Sequence, residues 1–184
     1  MKKEEQKLAK DVAEIYNKLN LLFHAILALP LLAFVWMYLE YNSGSMQPFL
    51  EDQSTADMLG FALPLMTVGV IVGAFILFNA GLRSIDPAKG LFNQVQGYFQ
   101  KAIILYAMLE LGLILNLVGY YLDQRNIYMA MYMIVLVFFS IYKPTLNRLA
   151  KHLNINGKDK DFLIDCRRIS RGEEKEERNT HARL

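Results

Sequence analysis

The chain has 184 residues, of which 54% are hydrophobic and 21% charged, with a mean hydropathy of +0.20 and a formal net charge of +2. The length suits one compact domain, yet so apolar a composition excludes an ordinary water-soluble fold, and so small a net charge excludes the basic face that nucleic-acid binding needs. The lone Cys166 excludes an intramolecular disulfide and leaves a cysteine-based metal site without a second thiol.

The first 20 residues are mostly polar, but Leu8, Val12, Ile15 and Leu19 recur at helical spacing. They predict an amphipathic cytoplasmic arm that either lies on a membrane or continues into the first span as a packed helical extension. Four apolar runs follow, at about Leu21–Leu39, Met58–Phe78, Ala102–Leu122 and Ile127–Tyr142. A hydrocarbon core about 30 Å thick takes roughly 20 helical residues, so each run reads as a span, the last and shortest sitting upright or recruiting its flanks. With so polar a stretch before it, the first span reads as a retained anchor rather than a cleaved signal. Beyond Pro144 a short helix is expected from about Thr145 to Leu153, stopped by the turn residues Asn154 to Gly157. The run Arg171 to Arg178 mixes both charges and reads as a solvated end to the tail over 143–184.

Lysine and arginine resist translocation, so their placement orients the spans. Nineteen of the 20 lie before the first run, between the second and third, or after the fourth; Arg125 alone lies on the other side, where Glu51, Asp52 and Asp57 also fall. Trp36, Tyr38, Tyr41, Tyr120, Tyr121 and Tyr128 mark the outer ends of the runs, and Tyr98 and Tyr142 the inner ones, as amphipathic rings prefer headgroup depth. The expected fold is therefore all-α, a four-helix transmembrane bundle in up-down order over residues 21–142, with both termini cytoplasmic.

Within the third run Glu110 is the costly residue. It lies eight residues in, about 12 Å deep, where an ionised carboxylate costs at least ~2.5 kcal/mol. Tyr106 precedes it by one turn on the same face and offers a hydroxyl. Three readings remain open for Glu110: a hydrogen-bonded packing residue, a site that loads a proton or cation with Tyr106 beside it, or a carboxyl that lies off the midplane or reaches solvent. Gly112, Asn116 and Gly119 form a separate seam, about 240° round from Glu110 in the case of Asn116, suited to close helix packing and an amide bond across helices. Gly69 and Gly73 give the second span a small-xxx-small face for packing within the bundle or between copies. Pro30 and Pro64, each within Ala-Leu-Pro-Leu, predict kinks that free the carbonyls of Ile26 and Gly60. His24 reads as a polar contact or a proton relay, while His152 and His181 lack metal-ligand spacing to each other or to Cys166.

The segments Tyr106 to Gly112, Asn116 to Tyr120 and Lys143-Pro144-Thr145 resemble a set of small four-span inner-membrane proteins of Bacteroidetes-type bacteria. That resemblance covers the second half of the chain and implies a bacterial inner membrane, with no activity attached. A narrower likeness, to the rotor-ring c subunit of rotary ATPases, rests on a glycine-bearing helix, a loop holding Arg83 and Pro87, and a mid-span Glu110; two extra spans depart from it.

Phosphate-binding loops, dinucleotide fingerprints, nucleophile elbows and zinc-protease motifs are missing from the sequence. A non-enzymatic component of a membrane assembly is thus expected, without cofactor or metal, its partners being the lipid bilayer and other membrane subunits or further copies of the chain. The alternative is a small proton- or cation-coupled transporter that uses Glu110.

Overall fold

The computed structural model describes residues 3–45, 47–50 and 52–166. The Arg171–Arg178 charge run and His181 lie outside the described residues. Among those described the fold is all-helical: α1 (Lys3–Asn42), α2 (Gln53–Arg83), α3 (Gly90–Asp123), α4 (Asn126–Ile141) and α5 (Leu146–His152), followed by helical residues 158–166. Three helices are long and apolar enough to cross a membrane, or four when α4 and α5 are taken as one broken span. Each of the first three is longer than the apolar run that defines it, and Pro30 and Pro64 both sit inside unbroken helix.

The chain divides into two compact units. The first gathers three stretches far apart in sequence, Met1–Leu21, Ala80–Ala102 and Pro144–Leu184. Its described core is built as in water: Ala9, Val12, Ala13, Tyr16 and Leu19 of α1, Val95, Tyr98 and Ala102 of α3, Leu149 and Ala150 of α5, then Ile155, Leu163 and Cys166 are all buried. Glu14 and Lys18 pair at 2.7 Å on the exposed face of α1. The buried face is shifted from the expected Leu8/Val12/Ile15/Leu19 stripe, because Ala9 and Ala13 let a neighbour come close where Leu8 and Ile15 remain half-buried. The N-terminal arm is thus a packed helix, joined to the tail by the Tyr16 hydroxyl, which donates to the Pro144 carbonyl at 3.3 Å. Burial pushes the Cys166 thiol up to about 11, so it behaves as a small core hydrophobe.

The second unit, Leu22–Asn79 with Ile103–Lys143, follows the opposite rule. Leu29, Leu32, Leu39, Phe61, Met58 and Ile76 are each more than 60% exposed, while Thr67 and Asn116 are buried. An outer surface so apolar belongs against lipid or another protein. Half of the most apolar stretch of α3 is buried, against 17% in α1 and 22% in α2, so α3 is the helix the others pack on. Tyr128 of α4 rests on Gly119, and Val135 one further stretch along rests near Gly112. On the α1 side Phe23 meets Tyr106 and Phe139, and Phe34 stacks on Tyr132 at 4.5 Å between ring centres. The turn from α3 to α4 uses Gln124 in the left-handed region (φ 54°), with its N–H on the Tyr120 carbonyl.

Gly119 is the tightest of these contacts. A Cβ built there would lie 2.5 Å from the Tyr128 ring, whereas one at Gly69 meets nothing within 4 Å. Gly119→Ala is therefore expected to destabilise the chain by about 1–3 kcal/mol, and Gly69→Ala to leave it within about 0.5 kcal/mol. Unfolding of the detergent-solubilised chain followed by circular dichroism measures both.

Candidate functional site

Three polar features interrupt the apolar second unit. The innermost is built on the seam of α3. Asn116 donates from Nδ2 to the Thr67 hydroxyl at 3.0 Å and to the Gly112 carbonyl at 2.7 Å, and Thr67 in turn donates to the Leu63 carbonyl at 3.0 Å. Each donor is thereby satisfied inside the protein, as hydrocarbon requires. Because Tyr128 faces Gly119 and Val135 faces Gly112, Tyr132 comes level with Asn116 on the neighbouring helix. The hydroxyls of Tyr120 and Tyr132 and the Asn116 Oδ1 are buried and carry no hydrogen bond among the described residues. The seam holds hydrogen-bonding capacity without a carboxylate or an imidazole, so it offers polar packing rather than proton transfer.

Gly112, Asn116 and Gly119 thus come together as one seam. Gly69 and Gly73 do not join it: Gly69 faces open space, and a Cβ at Gly73 would make only ordinary contact, 3.5 Å from the terminal methyl of Met108. The close approach that their spacing permits is not used among the described residues. Thr67 escaped the sequence reading, although it is the single hydroxyl residue between Met58 and Phe78 and that isolation was a usable signal.

The second feature is Glu110, which is half-buried. It sits at the margin of the exposed stripe of α3 that includes Ile104, Ala107, Leu111, Ile114 and Val118, not on the seam. Among the described residues it takes no hydrogen bond or ion pair. Tyr106, buried one turn away, donates its hydroxyl to the Tyr142 carbonyl at 3.0 Å. Tyr142 is the C-cap of α4, where the last carbonyls lack helical partners. Tyr106 therefore caps a neighbouring helix, and its ring is held for that task against Phe23 and Phe139.

The third feature lies at the end of α3. Arg125 pairs with Asp57 of α2 at 2.6 Å and with Asp123 at 2.8 Å, its guanidinium lying over Gly60, where a Cβ would come within 2.7 Å of Nη1. Asp57 is the main cause of a guanidinium held even more firmly protonated than usual. Nearby, Asp52 accepts from the Thr55 N–H and hydroxyl and opens α2, and these bonds hold its carboxyl below the usual range. This cluster ties the α3–α4 turn to the start of α2. His24, at the other end of the unit, is exposed and lies edge-on to Phe23.

No group of three or more His, Cys, Asp or Glu with metal-binding placement occurs among the described residues. No protein-family model, curated protein or solved structure matches the chain.

Two outcomes follow from this geometry. A double-mutant cycle on Thr67→Val and Asn116→Leu is expected to give a coupling of about 0.6 kcal/mol and no more than about 1.7, the range for hydrogen bonds between membrane helices, read from unfolding in mixed micelles. Arg125→Gln leaves Asp123, whose side chain is 9% exposed, without its cation. The expected outcome is a lower melting temperature that Arg125→Lys partly restores.

Proposed function

We propose that this chain is a non-enzymatic, multi-pass membrane protein that serves as a component of a membrane assembly and docks its partner through Glu110. The reading rests on one observation: a carboxyl about 12 Å along the third apolar run, half-buried at the margin of an apolar outer face, with no hydrogen bond or ion pair among the described residues. A carboxyl at that depth is tolerated when a neighbouring helix supplies a donor. Tyr106, one turn away on α3, donates to the Tyr142 carbonyl instead, and Asn116 lies on another face of the helix, bonded to Thr67 and Gly112. A second copy or another membrane subunit, laid along the Ile104–Val118 stripe, fills that need.

The bundle is read as four spans in up-down order. Supporting contacts pair rising numbers in one helix with falling numbers in the next: Thr67 with Asn116 and the Gly73 position with Met108, then Gly119 with Tyr128 and Gly112 with Val135. For α1 and α3 the numbers rise together, Phe23 with Tyr106 and Tyr41 with Tyr120. Cation placement supports an orientation with both termini cytoplasmic, and the resemblance carried by Tyr106 to Gly112 supports a bacterial inner membrane.

Glu110→Leu and Glu110→Gln test the docking role. In mild detergent the leucine variant is expected to reduce the native assembly, seen as a size shift on blue native gels, by about tenfold, while the isolated chain melts no lower than the parent. The glutamine variant, which keeps a hydrogen-bonding group, is expected to lose less. An unchanged assembly in the leucine variant overturns the proposal. Proton or cation flux in proteoliposomes that Glu110→Gln abolishes would place Glu110 in a transport path instead.

A further inference from the structure

The first unit contains a cavity of about 290 Å³ walled by α2's last residues, the loop that follows, the start of α3 and the end of α5. Its polar lining is Arg83, Gln94, His152 and Asn154, with Leu82 and Ile85 among its apolar walls, and no Asp or Glu among the described residues lines it.

The walls are fixed by the fold. After α2 the chain turns with the Ser84 hydroxyl on the Gly81 carbonyl and the Ile85 N–H on the Leu82 carbonyl. Asp86, between Ile85 and Pro87, is exposed and accepts the Ala88 N–H, and it is not among the residues that line the cavity. Ile85 packs over Gly97, where a Cβ would sit 3.3 Å from it. Gln94 donates to the Pro87 carbonyl at 2.8 Å, which sets its carboxamide in place. Across the cavity Asn154 ends α5 in the left-handed region (φ 52°), with its N–H on the Lys151 carbonyl.

The charge is one-sided. Arg83 is exposed and takes no hydrogen bond or ion pair among the described residues. The ring of His152 packs against Tyr98, and burial, with Arg148 and Lys151 close by, holds it below its ordinary range. An exposed guanidinium, two carboxamides and the nearby cations Arg148 and Lys151, with no carboxylate in the lining among the described residues, make a receptor for an anion with several acceptor oxygens.

We infer that this cavity binds a phosphate group, carried either by the headgroup of an anionic lipid or by a soluble phosphate. The guanidinium supplies paired N–H donors to the phosphate oxygens, the Asn154 carboxamide adds a further donor, and the apolar walls accept the group to which the phosphate is attached. The site does not depend on Glu110, so the two proposals stand or fall separately.

The test uses the full chain with Arg83→Gln and Asn154→Asp, the second placing a negative charge in the lining while keeping a residue type that tolerates positive φ. Lipid retention is read by native mass spectrometry of protein released from nanodiscs of phosphatidylcholine containing phosphatidylglycerol, and inorganic phosphate is titrated by calorimetry onto protein in nonionic detergent. Phosphatidylglycerol retained by the parent and weakened about tenfold in both variants supports a lipid source. Inorganic phosphate binding, weakened likewise, supports a soluble one. Binding of neither, or binding undiminished in both variants, overturns the inference. A parental melting temperature for Asn154→Asp ensures that its loss is read as lost binding, and Arg83, being exposed, gives an independent reading.

Discussion

Lipid withholds from helices the force that joins them in water, because hydrocarbon tails receive an apolar side chain as readily as another helix does. Cohesion must then come from close backbone approach and from polar groups that bond across helices. In the second unit both devices are concentrated on one strip of α3. Gly119 lets Tyr128 come within contact of the backbone, and Asn116 reaches Thr67 while also bonding its own helix at Gly112. The aromatic residues of α1 then fit against what that strip arranges, Phe34 on Tyr132 and Tyr41 on Tyr120. Without the strip, the choice of neighbours would fall to ring contacts, the Tyr106 bond to Tyr142 and the Arg125 pair with Asp57.

The same residues explain what could be read in advance. Apolar run length and the positions of Lys and Arg are properties of single segments, so the all-helical character and the spanning helices were legible in the sequence. So was the Gly112/Asn116/Gly119 seam, because three residues at helical spacing define a face without reference to anything else. A face does not name its partner, however, and there legibility ended. The Gly69/Gly73 face carries the same kind of signal as the seam, yet among the described residues Gly69 meets nothing and Gly73 only the tip of Met108. Tyr106 shares a face with Glu110, but its hydroxyl is taken by a carbonyl 36 residues away. The joining of residues 1–21, 80–102 and 144–184 into one unit depends on contacts such as Tyr16 with Pro144, 128 residues apart, which no local period encodes.

Arg125 shows how one residue serves both topology and packing. A cation on the proposed outer side works against the charge bias that orients the spans. Here it is matched by Asp57 and Asp123 and seated over Gly60. Gly60, whose carbonyl Pro64 deprives of its helical partner, also admits the guanidinium because it has no side chain. The ion pairs also counter the tendency of a two-residue turn to fray, since they fasten it to a helix some 70 residues earlier in the chain.

Glu110 and Asn116 make the sharper contrast, for they share a helix and a solvent and differ only in azimuth. A helix advances 100° per residue, so six positions separate them by about 240°, and a strip narrow enough to fit between two neighbours cannot hold both. Asn116 falls on that strip and is bonded twice. Glu110 falls outside it, at the margin of the exposed stripe, where the described residues give it no hydrogen bond or ion pair. Sliding α3 or turning it to bring Glu110 inside would expel Asn116 and break the fit of Gly119 to Tyr128. Among the described residues, cohesion of the bundle and satisfaction of this carboxyl are therefore opposed by helix geometry, which is the opposition that the proposed docking role resolves.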